Sequence, residues 1–243
     1  MQDSTITAQF SVGSVLGRSF STLFKNPLVF FGLTLIATLP PHFVQLAVPT
    51  GQLEGLALPA IVAALLSMIF SFVVQGAIAY AVYQELRGKK VSFGSALSTG
   101  LARVGWLILA AFLVSLGISI GLVLLIIPGL ILMCLWSVTI QACVVERLGP
   151  LASMGRSGQL TKGYRLRIFG LLLIVGVANY AFVLLAGYLG MTLFSNPLAF
   201  ALIGGVLAML PAAFNNVMSA IIYSDLRAVK EGVTLDSLAN VFD

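Results

Sequence analysis

Six stretches of this chain, Pro27 to about Val48, about Leu56 to Tyr83, Val104 to Ile127, the run after Gly129 to Val145, Ile168 to Phe194 and Pro197 to Tyr223, carry no Lys, Arg, Asp or Glu. Most hold the ~20 apolar residues that a helix needs to cross a bilayer core. Inside hydrocarbon a backbone must satisfy its own hydrogen bonds, which leaves helices or closed barrels. These runs are too long for barrel strands and do not alternate with period two. The reading is all-α: a polytopic membrane protein with six transmembrane helices. Composition agrees, since only 9% of residues are charged against 59% hydrophobic and the mean hydropathy is +1.07. Soluble domains carry about 25% charged residues.

The thirteen basic residues divide the connections into two sets. Arg18, Lys25, Arg87, Lys89, Lys90, Arg103, Arg147, Arg156, Lys162, Arg165, Arg167, Arg227 and Lys230 fall in the N-terminal segment, alternate connections and the tail. The connections at 49–55, Pro128–Gly129 and 195–197 hold none, and Pro128–Gly129 reads as the tight turn between spans three and four. Basic residues beside spans stay on the cytoplasmic side. Both termini are therefore expected in the cytoplasm and the chain in the cytoplasmic membrane. The first apolar run is longer than the ~7–15 residues of a signal-peptide core, so it reads as a retained span. The net charge of +5 borders the spans, where it suits anionic lipid headgroups and not nucleic acid.

The chain reads as one integral membrane domain over 1–243, built of three hairpin repeats at about 10–88, 91–149 and 150–227, with an amphipathic tail at 228–243. The even spans end alike: Tyr83-Gln84-Glu85-Leu86-Arg87, Val145-Glu146-Arg147 and Tyr223-Ser224-Asp225-Leu226-Arg227. Each hairpin follows a weakly amphipathic segment, expected to lie in the headgroup plane or to pack on the inner ends of the spans. In the first, Val12, Leu16, Phe20, Leu23 and Phe24 share a face; in the second, Phe93, Leu97, Leu101 and Val104 do; in the tail, Leu235, Leu238, Ala239 and Phe242 do.

A carboxylate at a desolvated boundary is costly unless paired. Glu85, Glu146 and Asp225 are therefore ion-pair candidates, with Arg87, Arg147 and Arg227 beside them and other basic residues on neighbouring amphipathic segments. Lys89, Lys90, Arg103, Arg156, Lys162, Arg165 and Arg167 are candidates for lipid headgroups. Gln75, Asn179, Asn215 and Asn216 lie within spans, where amides bond between helices or line a polar pocket. No span has a charge near its middle, which disfavours an ion-coupled pump. Gly117 and Gly121 form a G-x-x-x-G, expected mainly as an internal contact, and Gly204, Ala208 and Ala212 repeat the small spacing. Pro211 is expected to kink the sixth span.

No catalytic motif stands out. The one histidine, His42, lies far from the acids, and Cys134 and Cys143 read as small apolar space-fillers. Neither a metal nor a cofactor is expected. Function divides between a non-enzymatic organising, lipid-interacting or partner-stabilising role and, as the alternative, a small-solute or lipid transporter or channel. Membrane lipids are the expected partners, with a membrane protein or a second copy of the chain also open.

One stretch carries a family resemblance. Ile126-Ile127-Pro128-Gly129, Trp136, Val144-Val145-Glu146, Arg156-Ser157, Leu160-Thr161-Lys162-Gly163 and the pair Arg165 and Arg167 together resemble uncharacterised bacterial six-helix inner-membrane proteins related to the membrane domain of glycerophosphoryl diester phosphodiesterases. The resemblance implies six helices and a cytoplasmic-membrane location. It carries no catalytic residues across, because the activity of such enzymes belongs to a separate soluble domain.

Overall fold

A computed structural model describes residues 10–47, 57–193 and 196–232. The expected tail helix at 234–242, the connection at 49–55 and the side chain of His42 lie outside the described residues. Ten helices are described: α1 Val12–Lys25, α2 Pro27–Ala47, α3 Ala57–Leu86, α4 Phe93–Ala102, α5 Val104–Leu124, α6 Ile126–Leu135, α7 Thr139–Val145, α8 Pro150–Thr161, α9 Arg165–Leu193 and α10 Pro197–Glu231. Among the described residues, five segments are long and apolar enough to cross a membrane: Ala64–Leu86, Val104–Leu124, Ile126–Val145, Arg165–Leu193 and Ile203–Glu231. A sixth is added if α1 and the start of α2, which meet at 93°, count as one broken span.

Local chemistry sets the breaks. Ser11 caps α1 by accepting the Ser14 N–H at 3.2 Å. Pro27 then disfavours helical backbone at Asn26, which leaves the α-region and turns the chain. Gly88 closes α3 at φ +68°, where a residue lacking Cβ is at ease. Pro150 opens α8, where its missing N–H costs nothing. The turn between α5 and α6 is displaced from the expected Pro128–Gly129 pair. Only Leu125 leaves the helix, at φ −158° and ψ 133°, and Pro128 and Gly129 sit in the first turns of α6. Pro128 tolerates that position because the opening N–H groups of a helix have no partner to lose. α10 continues through Pro211.

The core gathers toward the ends of the helices where the basic residues lie. Val74, Ala77, Ile78, Ala81 and Val82 of α3 bury against Ala213, Val217, Ile221, Ile222 and Leu226 of α10, with Phe30 and Leu33 of α2. Farther along, apolar side chains stand exposed: Leu65 and Leu66 on α3, Val183 and Leu184 on α9, and all of Leu122 to Ile127. A water-facing surface of this kind would be costly, whereas lipid solvates it.

The short helices bury small residues beside a few large ones, and leave several of their largest outside. α1 buries Val15, Ser19, Thr22 and Leu23, while Phe20 and Phe24 of the expected apolar face point outward at 53% and 63% exposure. α4 buries Ala96 and Gly100, while Phe93 and Leu101 remain exposed. Gly100 sits so close to α3 that a Cβ there would meet the Val73 carbonyl oxygen at 2.3 Å. Gly117 lies under the Trp136 ring and Gly121 against Gly129, so the G-x-x-x-G is an internal contact. Gly204 has no atom within 4 Å of a built Cβ among the described residues.

Candidate functional site at the charged end of the bundle

Glu146 ends α7 and organises the largest polar network among the described residues. Arg156 of α8 donates from Nε to both its carboxylate oxygens at 2.9 Å, and Tyr223 of α10 donates from Oη to Oε1 at 2.7 Å. Arg156 also pairs with Glu231, which accepts from Arg227 Nε at 2.7 Å. The network ties α7, α8 and α10 together. Its pairing runs to Arg156, ten residues on, and not to the adjacent Arg147, which is exposed with a backbone φ of +55°.

The other two acids serve different helices. Asp225 pairs with Arg18, which fastens α1 to α10. Glu85 accepts from Asn26 Nδ2 at 2.8 Å, so it holds the α1–α2 corner to the end of α3. Its second oxygen is buried without a hydrogen-bond partner among the described residues, as is Gln84 Oε1. Arg87 lies 5.4 Å from the centre of the Tyr83 ring.

A second polar element repairs a break. The span Ile126–Val145 loses helical form between α6 and α7, at Trp136 to Val138. Ser157, fully buried on α8, donates to the Leu135 carbonyl at 2.7 Å and accepts the Val138 N–H at 3.3 Å. One hydroxyl thus serves two of the backbone groups that the break would strand. Ser153 and Thr161, one turn to either side, are buried too and bond back along α8 to Gly149 and Ser157.

The headgroup candidates spread over the charged end. Lys89, Lys90 and Lys162 are exposed, and Arg103 donates to the Cys143 carbonyl at 3.3 Å. Arg167 donates to the Phe10 carbonyl at 2.9 Å and lies near the Tyr164 ring. Arg165 Nε is buried with no hydrogen-bond partner among the described residues. Of the amides, Asn179 donates to Asn215 at 3.2 Å between α9 and α10, while Gln75 lies apart on α3. Cys134 and Cys143 are buried free thiols, and no group of three potential ligands that could hold a metal occurs among the described residues.

Sequence reasoning missed Tyr223, Glu231, Ser157 and Asn26. Glu231 was legible as the i, i+4 partner of Arg227, and Tyr223 as the residue two before Asp225, as Tyr83 is two before Glu85. Ser157 and Asn26 gave no signal, because their partners are backbone groups or distant in sequence.

Five or six helices fit to cross a membrane, closed at one end by these polar clamps, are the architecture of a multi-pass membrane protein. The chain belongs to the family described as a domain of unknown function, DUF7847, which matches residues 85–226. The match runs from the end of α3 through most of α10 and takes in the segment that carried the resemblance. It gives no link to the membrane domain of glycerophosphoryl diester phosphodiesterases. No curated protein and no solved structure matches the chain.

Proposed function

We propose that this chain is a non-enzymatic integral protein of the cytoplasmic membrane, with both termini in the cytoplasm, whose basic end holds anionic lipid and organises or stabilises a membrane partner. One observation carries the reading. All four described carboxylates, Glu85, Glu146, Asp225 and Glu231, contact partners within the chain. Lys25, Lys89, Lys90, Arg147 and Lys162 meanwhile stay exposed. The acids are consumed in holding helices together, and the surplus positive charge faces outward at the same end. Anionic headgroups meet such residues with about 1 kcal/mol each.

The element order supports the repeat reading, since a short helix precedes a pair of long apolar segments three times. The outward Phe20, Phe24 and Leu101 suit short helices that lean on the bundle by one edge and on lipid by another. The solute-path alternative draws less support, because Asn179 and Asn215 satisfy each other and neither lines the grooves between α6 and α9 or between α9 and α10.

Co-sedimentation with anionic and zwitterionic liposomes tests the reading. Neutralising Lys89 with Lys90, and Lys25 with Lys162, should weaken retention on liposomes rich in phosphatidylglycerol. Retention that ignores both pairs would sink the lipid part of the proposal.

A further inference from the structure

The groove between α6 and the start of α9 has a volume of about 210 Å³. Its walls are Ile127, Leu130, Ile131 and Cys134 from α6, and Leu166 and Phe169 from α9. The single charged residue lining it is Arg165. Arg165 lines the groove through its apolar stem, while its Nε is buried without a hydrogen-bond partner among the described residues, and a buried unpaired donor is costly. The described acids cannot supply that partner, because each is engaged elsewhere. Lys162, three residues earlier, is exposed and adds positive charge to the same connection. The groove also adjoins the N-terminus of the 29-residue α9, whose dipole favours an anion.

We infer that this groove is a specific site for one anionic glycerophospholipid, with an acyl chain along Ile127 to Cys134 and the phosphate at the rim of the groove, on the Arg165 guanidinium. The chemistry on each side matches. A guanidinium gives a phosphate paired, charge-assisted donors. The apolar walls take a hydrocarbon chain and offer nothing to a free anion, so a soluble phosphate would satisfy only the arginine. The inference rests on the proposed lipid-interacting reading and names the ligand class and the residue that selects it.

Native mass spectrometry of the full chain in mild detergent, titrated with phosphatidylglycerol or phosphatidylcholine, tests it. The wild type should retain one phosphatidylglycerol in preference to phosphatidylcholine. Arg165→Gln should weaken that binding about tenfold or more, as expected for a lost charged hydrogen bond. Ile131→Trp, at a position 47% exposed, should block the groove without touching the packed core. Wild-type affinity in Arg165→Gln, or equal binding of the two lipids, overturns the site. Liposome retention still sensitive to the lysine pairs would then leave the broader reading standing, and its loss would remove both.

Discussion

Arg156 offers one nitrogen to both oxygens of Glu146 at 2.9 Å, and the two side chains keep only 22% and 16% of their exposure. The Tyr223 hydroxyl completes the carboxylate's shell. Removing one member of such a partly buried set strands the others. Glu146→Ala should therefore cost about 2–4 kcal/mol, and Tyr223→Phe about 1–2 kcal/mol. A double-mutant cycle between positions 146 and 156, read by denaturant unfolding in micelles, should give a coupling of about 1–3 kcal/mol. Additive effects would mean that the contact is incidental.

Gly100 and Gly94 lie on the same short helix and predict opposite outcomes. A methyl at Gly100 meets backbone atoms of α3, the Val73 oxygen at 2.3 Å and the Ala77 nitrogen at 3.1 Å, which cannot swing aside. Gly100→Ala should destabilise by about 1–3 kcal/mol. A methyl at Gly94 meets nothing within 4 Å among the described residues, so Gly94→Ala should be neutral or gain up to about 1 kcal/mol from helix propensity. Paired melting curves check both.

Ser157 replaces two missing backbone partners at the broken span. Ser157→Ala keeps the packing and loses both bonds, so it should cost about 1–3 kcal/mol. Thr161 Oγ1, 3.4 Å from the same Leu135 oxygen, offers partial relief to that carbonyl and none to the Val138 N–H. Faster amide exchange at Val138 should accompany the loss. Unchanged exchange would show that water already serves the break.

The turn between α5 and α6 is apolar throughout, with Val123 to Ile127 each 66–86% exposed. Leu125, its one non-helical residue, donates to Gly121 at 3.0 Å and accepts from Gly129 at 3.4 Å. With apolar side chains and both its own backbone groups satisfied, Leu125 suits hydrocarbon better than water. In a background with Cys134 and Cys143 replaced by Ala, Leu125→Cys should resist a water-soluble maleimide in intact membranes, and Asn196→Cys should react when that face is exposed. Equal labelling would place the turn in water.

Much of the fold was legible in the sequence because lipid imposes a coarse rule. Long uncharged runs must be helices, and the basic residues bracket them, so α3, α5, α9 and α10 follow with few choices left. The α5–α6 turn was misplaced by three residues because Pro and Gly mark turns in water, whereas here Pro128 marks the opening of a helix. The burying faces of α1 and α4 were legible only in part, for a related reason. Leu23 is buried and Val12, Leu16 and Leu97 pack on the core, but Phe20, Phe24, Phe93 and Leu101 face outward. Large apolar residues bury themselves in a soluble protein, but beside lipid they lose nothing by facing outward. Close packing then falls to residues that let backbones approach, such as Ser19, Ala96 and Gly100.

The sequence alone determined the class of molecule, the helical spans and the end at which the charge collects, since these depend on the transfer of long segments between water and lipid. It also marked Glu85, Glu146 and Asp225 as acids in need of partners. Only the tertiary structure decided which partners they take: Asn26, Arg156 with Tyr223, and Arg18, at separations of 59, 10 with 77, and 207 residues. Burial makes a partner necessary at each of these sites, but its identity depends on which helices touch, and that is settled by side-chain packing across the whole bundle.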